Sequence, residues 1–269
     1  MTRPAVRLAI EETIATISLD DGDRMNPLGD EAIDGLADAV ARVRDDRQVR
    51  ALIVTGRGRG FCVGADLEHY RRMLDASSSG PTLGRYVGEL MARMNPVVLA
   101  LEQLPVPVVC AVNGVAAGGG AGLALAGDLV IAAKSAYFYL PFFPALGAVP
   151  DMGLTWTLPR AVGRPRALGL ALTGEKLSAQ TAQEWGLIWA CVEDDRLEAE
   201  SRRLARRLAA MPAHAIEEAR AIFAASERNT LARQLDLERD RQMERVAGES
   251  FAEGVRAFGE RRAPRFGGR

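Results

Sequence analysis

Asp151 stands in the run Ala148-Val-Pro-Asp-Met-Gly153, a carboxylate among apolar and glycine residues. A carboxyl in such surroundings has a raised pKa and can take up and return protons near neutrality. Its plainer role is a helix N-cap, which Asp fills well and which the residue types alone favour. Two glycine-rich turns are the other features able to do chemistry. Gly60-Phe-Cys-Val-Gly-Ala-Asp66 follows an apolar run at 51–55, and Asn113-Gly-Val-Ala-Ala-Gly-Gly-Gly-Ala-Gly122 follows another at 108–112. Turns of this kind let backbone N–H groups approach a ligand, and the following helix N-terminus adds partial positive charge. They could serve a phosphate or an oxyanion, or the glycines could simply allow close packing of helix on strand. Neither turn is a P-loop, because no Gly-Lys-Ser/Thr follows, and neither fits a dinucleotide-binding GxGxxG.

Other chemistry is poorly represented. Between Gln103 and Gly174 the only carboxylates are Asp128 and Asp151. Asp128 precedes the apolar run Leu129–Ala133 and reads as a strand start or a turn tie. The two histidines, His69 and His214, lie far apart in surface-like or packing contexts, so a histidine-based triad or a multi-His metal site is not expected. Cys62, Cys110 and Cys191 form neither a CxxC pair nor an even disulfide framework, and read as buried thiols. In the tail, Glu253-Gly-Val-Arg-Ala-Phe-Gly-Glu-Arg-Arg262 sets an aromatic beside arginines, a combination that can hold an adenine and phosphates or be a solvated helix end.

Those residues need elements to position them. Residues 4–19 alternate in two short apolar sets and predict a β-hairpin. Ile33, Leu36, Ala37, Val40 and Val43 share one face of a helix over 29–44. The apolar runs at 51–55, 108–112 and 129–133 predict strands buried on both faces, with helical stretches (one over 84–103) between them. That pattern implies βαβ crossovers. From Ser178 onward the periodicity is helical, over 178–186, 196–211, 213–226 and 230–247, with Ser178 and Thr181 as caps and a capping box from Thr181 to Glu184. Asp75-Ala-Ser-Ser-Ser-Gly-Pro-Thr82 reads as a mobile surface loop.

The chain has 269 residues, a formal charge of −1, 48% hydrophobic and 26% charged residues, which describes an α/β globular protein with a sizeable core. The balanced charge argues against a nucleic-acid or membrane-surface binder. No secretory leader pattern opens the sequence, and no run reaches the roughly 20 apolar residues of a membrane span. A reducing cytoplasm is the expected location.

Together these pieces resemble the crotonase superfamily, the enoyl-CoA hydratase/isomerase family, essentially from end to end. The resemblance rests on Gly60–Asp66, Pro107-Val-Val-Cys-Ala-Val-Asn-Gly114, Gly118-Gly-Gly120, Gly127-Asp128-Leu, Leu172-Thr-Gly-Glu-Lys-Leu-Ser-Ala179, Trp185-Gly-Leu and Glu253–Phe258. It implies a spiral of repeated ββα units over 1–195 and a helical region over 196–269 that makes homotrimers, often paired as hexamers. It also implies an acyl-CoA thioester as substrate, so coenzyme A enters with the substrate and no separate cofactor or metal is expected. By motif position, the N–H groups of Ala65 and Gly119 would hold the thioester oxygen. Cys62, Val63, Asp66 and Leu67 would bend around the adenine, Gly118 and Gly122 belong to the glycine turn, and Phe258 and Arg261 would take the C-terminal CoA-contacting positions, which a neighbouring subunit could supply.

The departures from the family pattern carry as much information. Its hydratases use two glutamates, and here those positions are Gly122 and, within one residue, Phe143. Asp151 occupies a position where a branch of the family's isomerases places an acid/base carboxylate. That implies an isomerase that shifts a double bond or rearranges a ring epoxide through an enolate. Phe142, Phe143, Leu146 and Met152 would form an apolar wall that raises the Asp151 pKa. Two alternatives stay open: a hydratase using another carboxylate such as Glu89, and a CoA-binding paralogue without turnover.

Overall fold

A computed structural model describes residues 4–76 and 80–267 of the chain. The N-terminal hairpin forms as expected. β1 (Val6–Glu11) pairs antiparallel with β2 (Ile14–Leu19) around a turn where Glu12 has φ 56°. A two-residue strand, β3 (Pro27–Leu28), leads into α1 (Asp30–Asp45), which buries Ile33, Leu36, Val40 and Val43 along one stripe. That stripe is the 3.6-residue apolar face read from the sequence, except that Ala37 is exposed and Ala39 is buried instead.

The chain then repeats one move. β4 (Ala51–Gly56) lies in a large sheet, and β5 (Gly60–Cys62) in a small one. β6 (Gly64–Ala65), α2 (Leu67–Ala76) and α3 (Gly80–Glu102) follow. β7 (Val108–Val112) returns to the large sheet, β8 (Val115–Ala117) to the small one, and α4 (Gly119–Ala124) closes the unit. β9 (Leu129–Ala133) and β10 (Tyr137–Tyr139) repeat it, followed by a π-helical turn at Phe142–Leu146, then α5 (Leu154–Val162) and α6 (Arg164–Thr173). β11 (Leu177–Ser178), α7 (Ala179–Glu184) and β12 (Ala190–Val192) complete the sheets.

The large sheet runs β1-β2-β4-β7-β9-β12 and is parallel beyond the hairpin, the small one runs β11-β10-β8-β5, and β3 pairs with β6. This is the ββα spiral that the resemblance implied. Strands β4 and β7 are buried almost throughout, because α8 (Leu197–Ala209) covers one face of the large sheet with Leu197, Ser201, Leu204 and Ala205. Three further helices follow: α9 (Ala215–Ser226), α10 (Leu231–Val246) and α11 (Glu249–Gly259).

Several sequence expectations are corrected. Residues 77–79 of the expected surface loop lie outside the described residues, while the helices on either side extend to Ala76 and begin at Gly80. Ser178 caps α7 by accepting the Thr181 N–H, so Thr181 is a helix residue and the Thr181–Glu184 capping box does not form. Cys62 and Cys110 are buried, but Cys191 on β12 is partly exposed. Asp128 does tie a turn. It accepts the Val108 N–H at 2.7 Å and holds a two-pronged ion pair with Arg220 of α9, each side chain 18% exposed. Arg220 also donates to the carbonyls of Leu104 and Val106, which fastens α9 to the N-terminal ends of the interior strands β7 and β9. Among the described residues no helix is long and apolar enough to cross a membrane.

Candidate active site

The two glycine turns meet at the end of the small sheet. Gly64 has φ 81°, and a Cβ built on it would lie 2.6 Å from the Ala117 carbonyl oxygen and 3.0 Å from the Gly119 nitrogen. Only glycine allows that approach, and it sets the β6 backbone beside the start of α4. Gly118 donates its N–H to the Tyr139 carbonyl at 2.9 Å. Gly119 is the first residue of α4, so its N–H has no acceptor within the helix. Ala65, one residue after Gly64, and Gly119 both line a pocket that is partly open to solvent.

The loop leading to Ala65 is braced by a residue that the sequence reading missed. Asn26 is 1% exposed, has φ 59°, and donates through Nδ2 to the carbonyls of Arg57, Gly60 and Phe61. Asn113 donates to the Gly58 and Gly60 carbonyls from the other side. Asn before Pro27 reads as an ordinary turn signal, and its partners lie more than thirty residues away, so nothing local marks this role.

Asp151 enters the same pocket from the segment after the π-helical turn. The cap reading that its residue type favours does not hold. The N-cap of α5 is Gly153, with φ 80° and no side-chain cap, and its carbonyl accepts the N–H groups of Trp156 and Thr157. Asp151 contributes only its main-chain carbonyl, to Leu154 N–H at 3.0 Å. Met152 takes φ 53°, a left-handed conformation that costs a non-glycine residue about 1–3 kcal/mol. Successive positive φ values at Met152 and Gly153 bend the chain so that Asp151 and Met152 both line the pocket.

The Asp151 Oδ1 is buried without a hydrogen-bond partner among the described residues. It lies 3.6 Å from the place a Cβ on Gly119 would occupy, which sets the carboxyl beside the start of α4. Burial pushes its carboxyl from 3.8 up to about 6. The apolar residues that line the pocket with it include Phe142, Leu146, Met152, Leu28, Ile33 and Leu90. A carboxyl with that pKa is charged at neutral pH yet readily reprotonated, which suits a group that both removes and returns a proton.

The other residues singled out from the sequence divide. Val63, Leu67 and Gly118 line the pocket with Ala65 and Gly119. Cys62 is buried beneath it, where burial pushes its thiol up to about 12 and leaves it an unreactive packing group. Asp66 turns to a polar cleft on the outside and accepts from Arg24 at 2.7 Å and from the His69 N–H. Gly122 packs under the pocket. A Cβ there would lie 2.3 Å from Met152 Cβ, so the first glutamate position has no room for a side chain. Phe143 is exposed and does not line the pocket, and neither does exposed Glu89 on α3. Phe258, 87% exposed, and Arg261 lie on and just after α11, away from this pocket within the chain. Tyr70 on α2 lines the pocket and had not been singled out. Among the described residues, no group of three or more His, Cys, Asp or Glu side chains gathers as a metal site.

Comparison with known proteins gives the same picture. The family model described as "Enoyl-CoA hydratase/isomerase" matches residues 9–269. The chain is 47% identical over 262 residues to the 1,2-epoxyphenylacetyl-CoA isomerase of Escherichia coli (strain K12), covering 97% of both chains. It is 42% identical over 269 residues to a protein named probable enoyl-CoA hydratase in Rhodobacter capsulatus, covering 100% of both. The crystal structure of an enoyl-CoA hydratase from Bacillus anthracis superposes with a TM-score of 0.87 at 30% identity, covering 97% of this chain and 98% of that one. The ββα spiral, the paired glycine turns and these matches establish that the chain belongs to the enoyl-CoA hydratase/isomerase family.

Proposed function

We propose that the protein is an acyl-CoA isomerase in which Asp151 is the single acid/base group. The observation that carries this reading is the side-chain chemistry of the pocket, where Asp151 is the one carboxyl among the described residues that line it. Asp151 removes a proton from carbon next to the thioester or to a double bond. The electron pair delocalises onto the thioester oxygen, which accepts hydrogen bonds from the Ala65 and Gly119 N–H groups. Protonated Asp151 then returns the proton to another carbon, and the double bond has moved. A backbone donor aimed at such an oxyanion contributes about 2.7–4 kcal/mol in comparable sites. Coenzyme A arrives as part of the substrate, and moving a proton and an electron pair calls for no further cofactor. The 47% identity to a 1,2-epoxyphenylacetyl-CoA isomerase supports a ring epoxide as one acyl group for the same chemistry.

The likeness to a protein named as a hydratase favours a second reading, water addition. The two-carboxylate route is poorly served here, because Gly122 has no room for a side chain and Phe143 and Glu89 lie outside the pocket. Exposed apolar side chains on α9–α11, among them Phe223, Leu231, Met243 and Phe258, support the helical region 196–269 as a self-association surface for a trimer or hexamer. The partly exposed Cys191 and the buried Cys62 and Cys110, all unpaired, support a reducing cytoplasm. The test is conversion of a β,γ-enoyl-CoA to the α,β isomer by the wild type and by Asp151→Asn. Isomer formation lost in the variant supports the proposal; hydration that persists in the variant favours the second reading.

A further inference from the structure

Among the described residues that line the pocket, Asp151 and Tyr70 are the two with polar side chains; the others are apolar or glycine. Tyr70 is half-buried on α2, and among the described residues its hydroxyl makes no hydrogen bond to the protein. Its ring is nevertheless held in place. Tyr86 of α3 meets it edge to face, with centroids 6.1 Å apart and planes at 88°. The Tyr86 hydroxyl donates to Asp30 of α1 at 2.9 Å, and Asp30 is gripped by Arg93 of α3. His69, the neighbour of Tyr70, packs on the same Tyr86 ring at 5.1 Å. A fixed aromatic scaffold thus holds a phenol whose hydroxyl has no partner among the described residues.

We propose that Tyr70 is a specificity-determining residue that donates a hydrogen bond to an oxygen carried on the acyl group, such as an epoxide oxygen. This rests on the isomerase reading above and extends it to the class of substrate. A purely hydrocarbon acyl group satisfies the apolar walls but leaves a desolvated hydroxyl unpaired, whereas an oxygen-bearing group pairs it. Sites built around a hydrogen bond to substrate discriminate far more strongly than apolar pockets do.

The phenol also matches the charge that develops. When Asp151 takes the Cα proton of a β-epoxy thioester, the C–H electron pair forms a Cα=Cβ bond as the Cβ–O bond breaks. The oxygen keeps that bond's electron pair and then accepts the proton from Asp151, so the product is an isomer of the substrate. Tyr70 hydrogen-bonds the oxygen throughout and loses no proton. Burial, with a smaller contribution from the Asp151 charge, raises its pKa, so it remains a donor at neutral pH.

The test is Tyr70→Phe, which keeps the ring against Tyr86, assayed beside wild type on two substrates. One is a hydrocarbon β,γ-enoyl-CoA, the other an arylacetyl-CoA ring epoxide. The expected result is a loss of about 10- to 100-fold in kcat/KM on the epoxide, with enoyl turnover within about threefold and an unchanged pH profile. Equal losses on both substrates, or a shifted pH profile, would show that Tyr70 acts through Asp151 and overturn the proposal. No loss on either substrate would also overturn it. A wild type that converts neither substrate would defeat the isomerase reading itself, which separates the two failures.

Discussion

Replacing Asp151 by asparagine should make the protein more stable at neutral pH. The carboxyl moves from 3.8 to about 6 on folding because it is buried with no cation beside it. Between about pH 4 and 6 the folded chain therefore holds a proton that the unfolded chain has released, and stability falls as pH rises through that window. Above it the full penalty is present, at most about 3 kcal/mol for that change in pKa. Asp151→Asn keeps the shape and removes the charge, while the buried amide retains a desolvation cost of its own. The net expectation is a gain of about 1–2 kcal/mol at pH 7.5 that vanishes at pH 4. Urea denaturation followed by circular dichroism, at matched protein concentration and at both pH values, measures the difference. A loss of stability at pH 7.5 instead would mean that the folded chain favours the carboxylate over a neutral amide at this position. The desolvation argument would then be refuted.

Three further outcomes follow from the same geometry. With Asp151 as the base, kcat/KM for isomerisation should fall about tenfold per pH unit below about 6, and a flat profile from pH 5 to 7 would contradict that role. Gly122→Ala should cost about 1–3 kcal/mol and most of the activity, because the new Cβ would lie 2.3 Å from Met152 Cβ and push the residue next to Asp151; thermal melts and initial rates report both. Asn26→Ala strips hydrogen bonds from the carbonyls of Arg57, Gly60 and Phe61 and should cost about 2–4 kcal/mol by denaturant titration, with a weakened oxyanion site in what remains folded.

Much of the frame was legible because its signals are local. Strands β4, β7 and β9 are short apolar runs buried on both faces, α1 carries a clean 3.6-residue stripe, and the glycine turns sit where strand gives way to helix. Elements with weak local signals were missed. α5 and α6 contain Pro159 and Pro165, β12 is three residues long, and the π-helical turn at Phe142–Leu146 has no periodicity to read. In the site, Asp151 could be picked out as an isolated carboxylate, but its role could not. Cap and proton carrier share the same residue types, and only the positive φ values of Met152 and Gly153 turn the side chain away from the helix it precedes. Tyr70 and Asn26 were invisible for another reason. Their importance comes from neighbours distant in sequence, Tyr86 and Asp151 for one, Arg57 to Phe61 for the other.

The central claim is that one carboxylate both removes and returns the proton. A single turnover of a β,γ-enoyl-CoA in deuterated buffer, read by mass spectrometry beside Asp151→Asn, tests it most directly. The expected result is an α,β isomer from the wild type carrying less than one deuterium per molecule, since part of the proton stays on Asp151, and no isomer from the variant. Isomer formed by Asp151→Asn at a rate near that of the wild type would contradict the claim.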